Sequence, residues 1–159
     1  MSPPPFTFGA AMHGARLTLP LLPSVMVFAA AFGAAAAGKG LSFVETVAMS
    51  GLVYAGASQM VSLELWREAW SLPSVVEVAA VTAVVNARMI LMGAALQPWL
   101  KHATAPRQAL MLFLLTDANW LLAMRYRSEG GRDLGIYLGS GAMLWVVWVA
   151  ATLPGYFAS

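Results

Sequence analysis

The stretch Ser50-Gly51-Leu52-Val53-Tyr54-Ala55-Gly56-Ala57-Ser58-Gln59 lies inside an apolar run from Leu41 to Leu65, yet it holds two serines, a tyrosine, a carboxamide and two glycines. A run of this length suffices to cross hydrocarbon, which needs about 20 residues of helix. There every polar group must meet a partner in the protein or a water-lined cavity, so a polar cluster at this depth needs a cause. At helical spacing Ser50, Tyr54, Ser58 and Ser62 follow at i, i+4 and form one stripe facing protein or a cavity. Two readings of Ala55-Gly56-Ala57 stand side by side. Either the helix is unbroken and its small residues allow close packing, or it breaks and Ser58 becomes an N-cap. In the second case freed N–H groups point at a cavity suited to a carboxylate.

The whole chain shares the character of that run. It is 60% hydrophobic and 10% charged over 159 residues, against roughly 25% charged for a soluble domain. This predicts one all-α, polytopic membrane domain over residues 1–159. The net charge of +2 is spread between the apolar runs and forms no basic patch, so nucleic acid is not an expected partner. With no cysteine there is no disulfide framework or thiolate site, and neither histidine lies in a span, which removes hydrolase dyads and histidine metal sites. No cofactor and no metal are expected.

Five spans are predicted, over about 17–37, 41–65, 73–100, 108–123 and 134–157, with residues 1–15 as a mobile or surface-lying tail. The first run has Pro20 and Pro23 near its start, which open or kink its helix, and Ala29, Gly33 and Ala37 form a small-residue stripe for close contact. It is longer than a signal-peptide core, and a retained helix is preferred to a cleaved signal. A second break is placed at Ala55–Ser58. Glu64, Arg67 and Glu68 end the second span at the interface, and Trp145 and Trp148 in the last run are too deep for an interfacial belt and pack in the bundle. Arg16, Arg67, Arg125, Arg127 and Arg132 fall on one side, against Lys39, Lys101 and Arg107 on the other, which favours a cytoplasmic N-terminus.

Several ionisable and polar residues lie within the spans. Arg88 and Asp117 fall near the centres of sequence-adjacent helices and are expected to pair, either to fix helix register or to serve a pathway, with Asp117 carrying a proton. Glu45 opens the second span, where a carboxylate favours a helix N-terminus or joins the pathway. Asn86, at mid-depth in the third span, either serves the cavity near Ser58 and Gln59 or joins two helices.

The order of these features resembles a known family. Pro20, Pro23, Phe32 and Gly33 are followed by Gly40-Leu-Ser and Glu45, then Tyr54-Ala-Gly-Ala-Ser-Gln59, Asn86-Ala-Arg88 and Thr116-Asp117. This is similar to the AzlC family of branched-chain amino acid permeases. The resemblance implies export of neutral, branched-chain amino acids across the bacterial inner membrane, with a small AzlD-type subunit as partner and a homo-oligomer as a further possibility. It implies substrate or pathway roles for Tyr54, Gly56, Ser58, Gln59 and Asn86, and proton coupling or an ion pair for Arg88, Asp117 and Glu45. Met60 and Leu91 are expected to border the substrate side chain. The chain has Met89 where members commonly have histidine and Ala118 where they commonly have glutamate. Members are also longer, with further membrane segments beyond the run ending near Phe157, so the resemblance implies either a short or truncated member or a partner that completes the pathway. A non-transporting accessory subunit and a pore are the alternatives.

Overall fold

The structure is a computed structural model that describes residues 4–66 and 71–158. The expected interfacial residues Arg67 and Glu68 lie outside the described residues. The described chain is all-α: α1 (Phe8–Leu17), α2 (Leu22–Gly38), α3 (Phe43–Ala48), α4 (Gly56–Glu64), α5 (Leu72–Ala95), α6 (Gln97–Leu100), α7 (Ala105–Phe113), α8 (Asp117–Ser128) and α9 (Gly135–Phe157). Three continuous helical stretches are long and apolar enough to cross a membrane: Phe8–Gly38, Leu72–Ala95 and Gly135–Phe157. The second and fourth predicted spans are instead each divided, into α3 and α4 and into α7 and α8. Large apolar side chains such as Leu52, Val84 and Leu91 are exposed, each at 76%, as a lipid-facing surface requires.

Local chemistry sets the element ends. Pro20 and Pro23 accompany a single 3-10 turn, Leu19–Leu21, that joins α1 to α2 and realises the break expected there. Gly40 ends α2 in the left-handed conformation (φ 80°), with the Leu41 N–H on the Ala36 carbonyl at 3.1 Å and the Gly40 N–H on that of Ala37 at 2.9 Å. Ser42 opens α3 through a reciprocal cap. Its hydroxyl accepts from the Glu45 N–H, and the Glu45 carboxylate accepts from the Ser42 N–H at 2.7 Å.

The chain divides into two compact units. Unit 1 comprises Met1–Leu22 and Met89–Val146, and unit 2 comprises Pro23–Arg88 and Val147–Ser159. In unit 1 the tail expected to be mobile is helical from Phe8. Thr7 caps α1, and the Thr7 hydroxyl and N–H both donate to the Asp133 carboxylate, at 2.7 and 3.2 Å. A side chain on Gly14 would run into the Ile136 backbone and one on Gly139 into that of Ala11, so α1 and the start of α9 touch backbone to backbone. Those glycines let the segment pack closely on α9. The unit's core gathers Met92, Leu96, Trp99, Met111, Leu115, Ala123, Leu134 and Tyr137. The Arg127 guanidinium lies 5.2 Å over the Trp99 ring, close to the last carbonyls of α5.

Unit 2 uses the same contact between α2 and the end of α9, where Gly33 presses on the Thr152 carbonyl and Gly155 on that of Ala30. Ala29 and Gly33 of the expected small-residue stripe are buried, joined by Ala36 rather than Ala37. Trp148, buried as expected, stacks on Phe32 and meets Phe28 edge-on, at ring separations of 6.1 and 5.5 Å.

Candidate functional site

The break in the second run governs the site in unit 2. After α3 the chain makes a wide turn over Met49–Val53, then Tyr54 adopts the left-handed conformation (φ 43°, ψ 44°) and Ala55 an irregular one before α4 begins at Gly56. Tyr54 is the one non-glycine residue with positive φ among the described residues. A bulky side chain held there costs about 1–3 kcal/mol, which the surrounding packing must offset. The helix therefore breaks, at the start of the expected Ala55–Ser58 segment. Ser58 is not the N-cap. That position falls to Ala55, whose side chain cannot accept, so the first-turn N–H groups of Gly56, Ala57 and Ser58 have no side-chain cap.

The side chains beyond the break are buried and connected. Ser58 and Gln59 are each 1% exposed, and Ser50 is fully buried. The Ser58 hydroxyl donates to the Ala55 carbonyl at 2.9 Å and accepts from Asn86 Nδ2 at 3.1 Å. One turn further, the Ser62 hydroxyl donates to the Ser58 carbonyl at 2.7 Å and shares a 3.2 Å hydrogen bond with Thr82. The pairs Ser58–Asn86 and Ser62–Thr82 step by four residues in opposite directions, joining α4 and α5 as antiparallel neighbours. Ser50 shares a 2.8 Å hydrogen bond with Thr152 of α9. The Gln59 Nε2 group reaches back across the break to the Met49 carbonyl.

Gly56 is fixed as glycine by its surroundings. A Cβ there would fall 2.7 Å from Trp148 Cη2 and 3.1 Å from Phe28 Cε1, so the α4 N-terminus lies directly against an aromatic wall. Two buried polar atoms have no partner among the described residues: Gln59 Oε1, in α4, and Trp148 Nε1, on the ring that packs against Gly56.

The structure thus brings together the expected Tyr54, Gly56, Ser58, Gln59 and Asn86 within one unit. Each of the three ionisable candidates is exposed. Glu45 is exposed and holds the cap of α3 with Ser42. Arg88 is exposed on α5 at the end of its segment of unit 2, whereas Asp117 is exposed in the first turn of α8 in unit 1. Met60 is half-buried, and Leu91, expected beside the substrate, is on the exposed face of α5. Sequence reasoning missed Trp148 and Thr152 as parts of this site, since their approach comes from the far end of the chain. Among the described residues no group of three His, Asp or Glu could hold a metal ion.

The fourth run carries a counterpart. Thr116, extended between α7 and α8, caps α8 with Asn119: the Asn119 Oδ1 accepts from the Thr116 N–H at 2.8 Å and its hydroxyl at 3.0 Å. The Asn119 Nδ2 donates to the Leu114 carbonyl at 2.8 Å, so this fully buried carboxamide is satisfied at both ends. Asn119 was also missed, although Thr116-x-x-Asn119 has the spacing of a reciprocal cap.

Comparison with known proteins adds two findings. The family model described as AzlC protein matches residues 20–159. Inner membrane protein YgaZ of Escherichia coli (strain K12) is 30% identical over 151 residues, which cover 92% of this chain and 60% of that protein. The chain therefore spans about 60% of that relative's length. No solved structure matches.

Proposed function

Because the chain belongs to the AzlC family, and so is a membrane transport-related protein, we propose that it carries neutral, branched-chain amino acids outward across the bacterial inner membrane as the large subunit of a two-component permease. The observation that carries this reading is the uncapped N-terminus of α4 at the Tyr54 break, set against buried Ser58, Gln59 and Asn86. A half-helix beginning inside a membrane domain presents N–H groups and a positive dipole end to an anionic group, here the substrate carboxylate. Asn86 holds Ser58 in place and offers a polar contact beside it. Asp117, in the first turn of α8, is proposed as the proton carrier whose relation to Arg88 changes during the cycle, with a small AzlD-type subunit completing the pathway and the N-terminus cytoplasmic.

The test is flux of labelled valine, leucine and methionine in proteoliposomes, with the chain alone and with the small subunit, across an imposed pH gradient. Gradient-dependent flux that disappears with Asp117→Asn is the expected result; unchanged flux removes Asp117 from coupling. A second reading, a non-transporting accessory subunit, is favoured by α5, whose apolar window is only 6% buried and therefore open to a partner helix or a second copy. Gln59→Ala separates the two readings. A transporter keeps its assembly and loses flux, whereas a scaffold loses its partner.

A further inference from the structure

The Gln59 amide has a fixed orientation. The Met49 carbonyl can only accept, so Nε2 must face it, and Oε1 is left pointing away with no donor among the described residues while Gln59 is 1% exposed. A buried acceptor without a donor is costly unless something else supplies the proton. Trp148 presents the complementary deficit. Its indole N–H is buried without an acceptor among the described residues, and its ring is fixed by Phe28 and Phe32 with the Cη2 edge 2.7 Å from where a Gly56 Cβ would stand. One unmet acceptor therefore belongs to a residue of α4 itself and one unmet donor to the ring whose carbon edge packs against the start of that helix.

We infer that these two groups form a clamp for a zwitterion: Gln59 Oε1 accepts from the α-ammonium of an amino acid, while the Trp148 indole N–H and the first-turn N–H groups of α4 donate to its carboxylate. The inference rests on the amino-acid reading above and adds the group that recognises the amine. Gly56, Ser58, Gln59, Asn86 and Trp148 are all uncharged. A ligand of one sign would bring an uncompensated charge among them, whereas a zwitterion carries its own counter-charge a few bonds away. The deaminated acid is rejected for a further reason, since it leaves Oε1 without a donor.

The experiment is equilibrium binding to the full chain in lipid nanodiscs, using L-valine, 3-methylbutanoate (valine without its amine) and 2-methylpropylamine (without its carboxylate). The wild type is expected to hold valine at least about tenfold more tightly than either analogue. Gln59→Leu should abolish the preference for valine over 3-methylbutanoate, and Gln59→Glu, which keeps an acceptor oxygen, should retain it. Trp148→Phe, which removes only the indole N–H from the aromatic wall, should weaken valine and 3-methylbutanoate by the same factor and leave the amine unaffected. Valine binding with no preference over 3-methylbutanoate, or a preference that survives Gln59→Leu, overturns the clamp and leaves the transport reading standing. No valine binding by folded wild-type chain overturns the amino-acid reading and the clamp with it.

Discussion

In unit 1 the carboxamide of Asn119 donates to the Leu114 carbonyl and accepts from Thr116, so the start of α8 is closed by its own residues. In unit 2 the carboxamide of Gln59 makes the equivalent backward donation, to the Met49 carbonyl, but its oxygen meets no donor among the described residues and α4 starts without a side-chain cap. Both breaks face one requirement, that backbone groups released inside an apolar run must find partners. The closed break has Thr at the capping position, where the open one has Ala55. A single hydroxyl thus separates a helix start closed by its own residues from one left without a side-chain cap. A leftover indole N–H, of Trp120 in unit 1 and Trp148 in unit 2, occurs in each, so it is the carboxamide oxygen and the cap that distinguish them.

The strongest way to break this comparison is to open the closed side. Asn119→Leu leaves the Leu114 carbonyl and the Thr116 N–H unpartnered in a buried setting, and is expected to destabilise the protein by about 3 kcal/mol. A large fall in the thermal midpoint in detergent is the outcome to look for. Gln59→Leu removes one satisfied hydrogen bond and one orphan, and should cost clearly less stability while abolishing flux. Equal losses of stability from the two substitutions would mean that the breaks do the same structural work, and the contrast would fail.

Thr116→Ala asks the same question more gently. It removes the hydroxyl partner of Asn119 and leaves the backward donation intact, so about 1 kcal/mol should be lost. Ala55→Ser is the converse, supplying α4 with the cap it lacks. It should raise stability by about 0.5 kcal/mol and lower substrate flux, because the hydroxyl competes for the first-turn N–H groups. A raised midpoint with undiminished flux would show that those N–H groups do not meet the substrate.

The helical membrane class was legible because run length and charge depletion are properties of composition, and lipid leaves few alternatives. The triplet Ala55-Gly56-Ala57 also marked a weak point in the second helix. Its exact position was not legible, because the break turns on Tyr54 in a left-handed conformation that its residue type disfavours and that only tertiary packing selects. The break in the fourth run was announced by Thr116-x-x-Asn119, but the predicted span 108–123 ran through it, since the flanking Leu112–Leu115 run hides the interruption. The folding of Phe8–Leu17 was illegible for another reason: Gly135 and Gly139 that receive it lie more than a hundred residues away. Trp148 is also remote in sequence from Gly56, so the aromatic wall of the site had no local signature.

The start of α9 offers a third kind of helix start and the smallest expected effect. Here the cap can titrate: Asp133 accepts from the Gly135 N–H at 2.8 Å and from the Thr7 hydroxyl and N–H, fastening the segment before α1 to the segment before α9. Partial burial acts to raise the Asp133 pKa, but the hydrogen bonds from Thr7 and Gly135 outweigh it and hold the carboxyl below its ordinary value. A depressed pKa means that the ionised form is favoured by the folded arrangement. The fastening is therefore fully present at neutral pH and is lost as the pH falls through the lowered value, below about 4. Hydrogen exchange at the Thr7 and Gly135 amides, corrected for the intrinsic pH dependence, should accelerate only in that acidic window. The inflection should vanish in Asp133→Asn, which keeps an acceptor but no titration. The amides of the Thr116–Asn119 cap, whose partners do not titrate, should show no inflection in the same window. An inflection shared by both sites would mean that acid loosens unit 1 as a whole and that Asp133 is not its trigger.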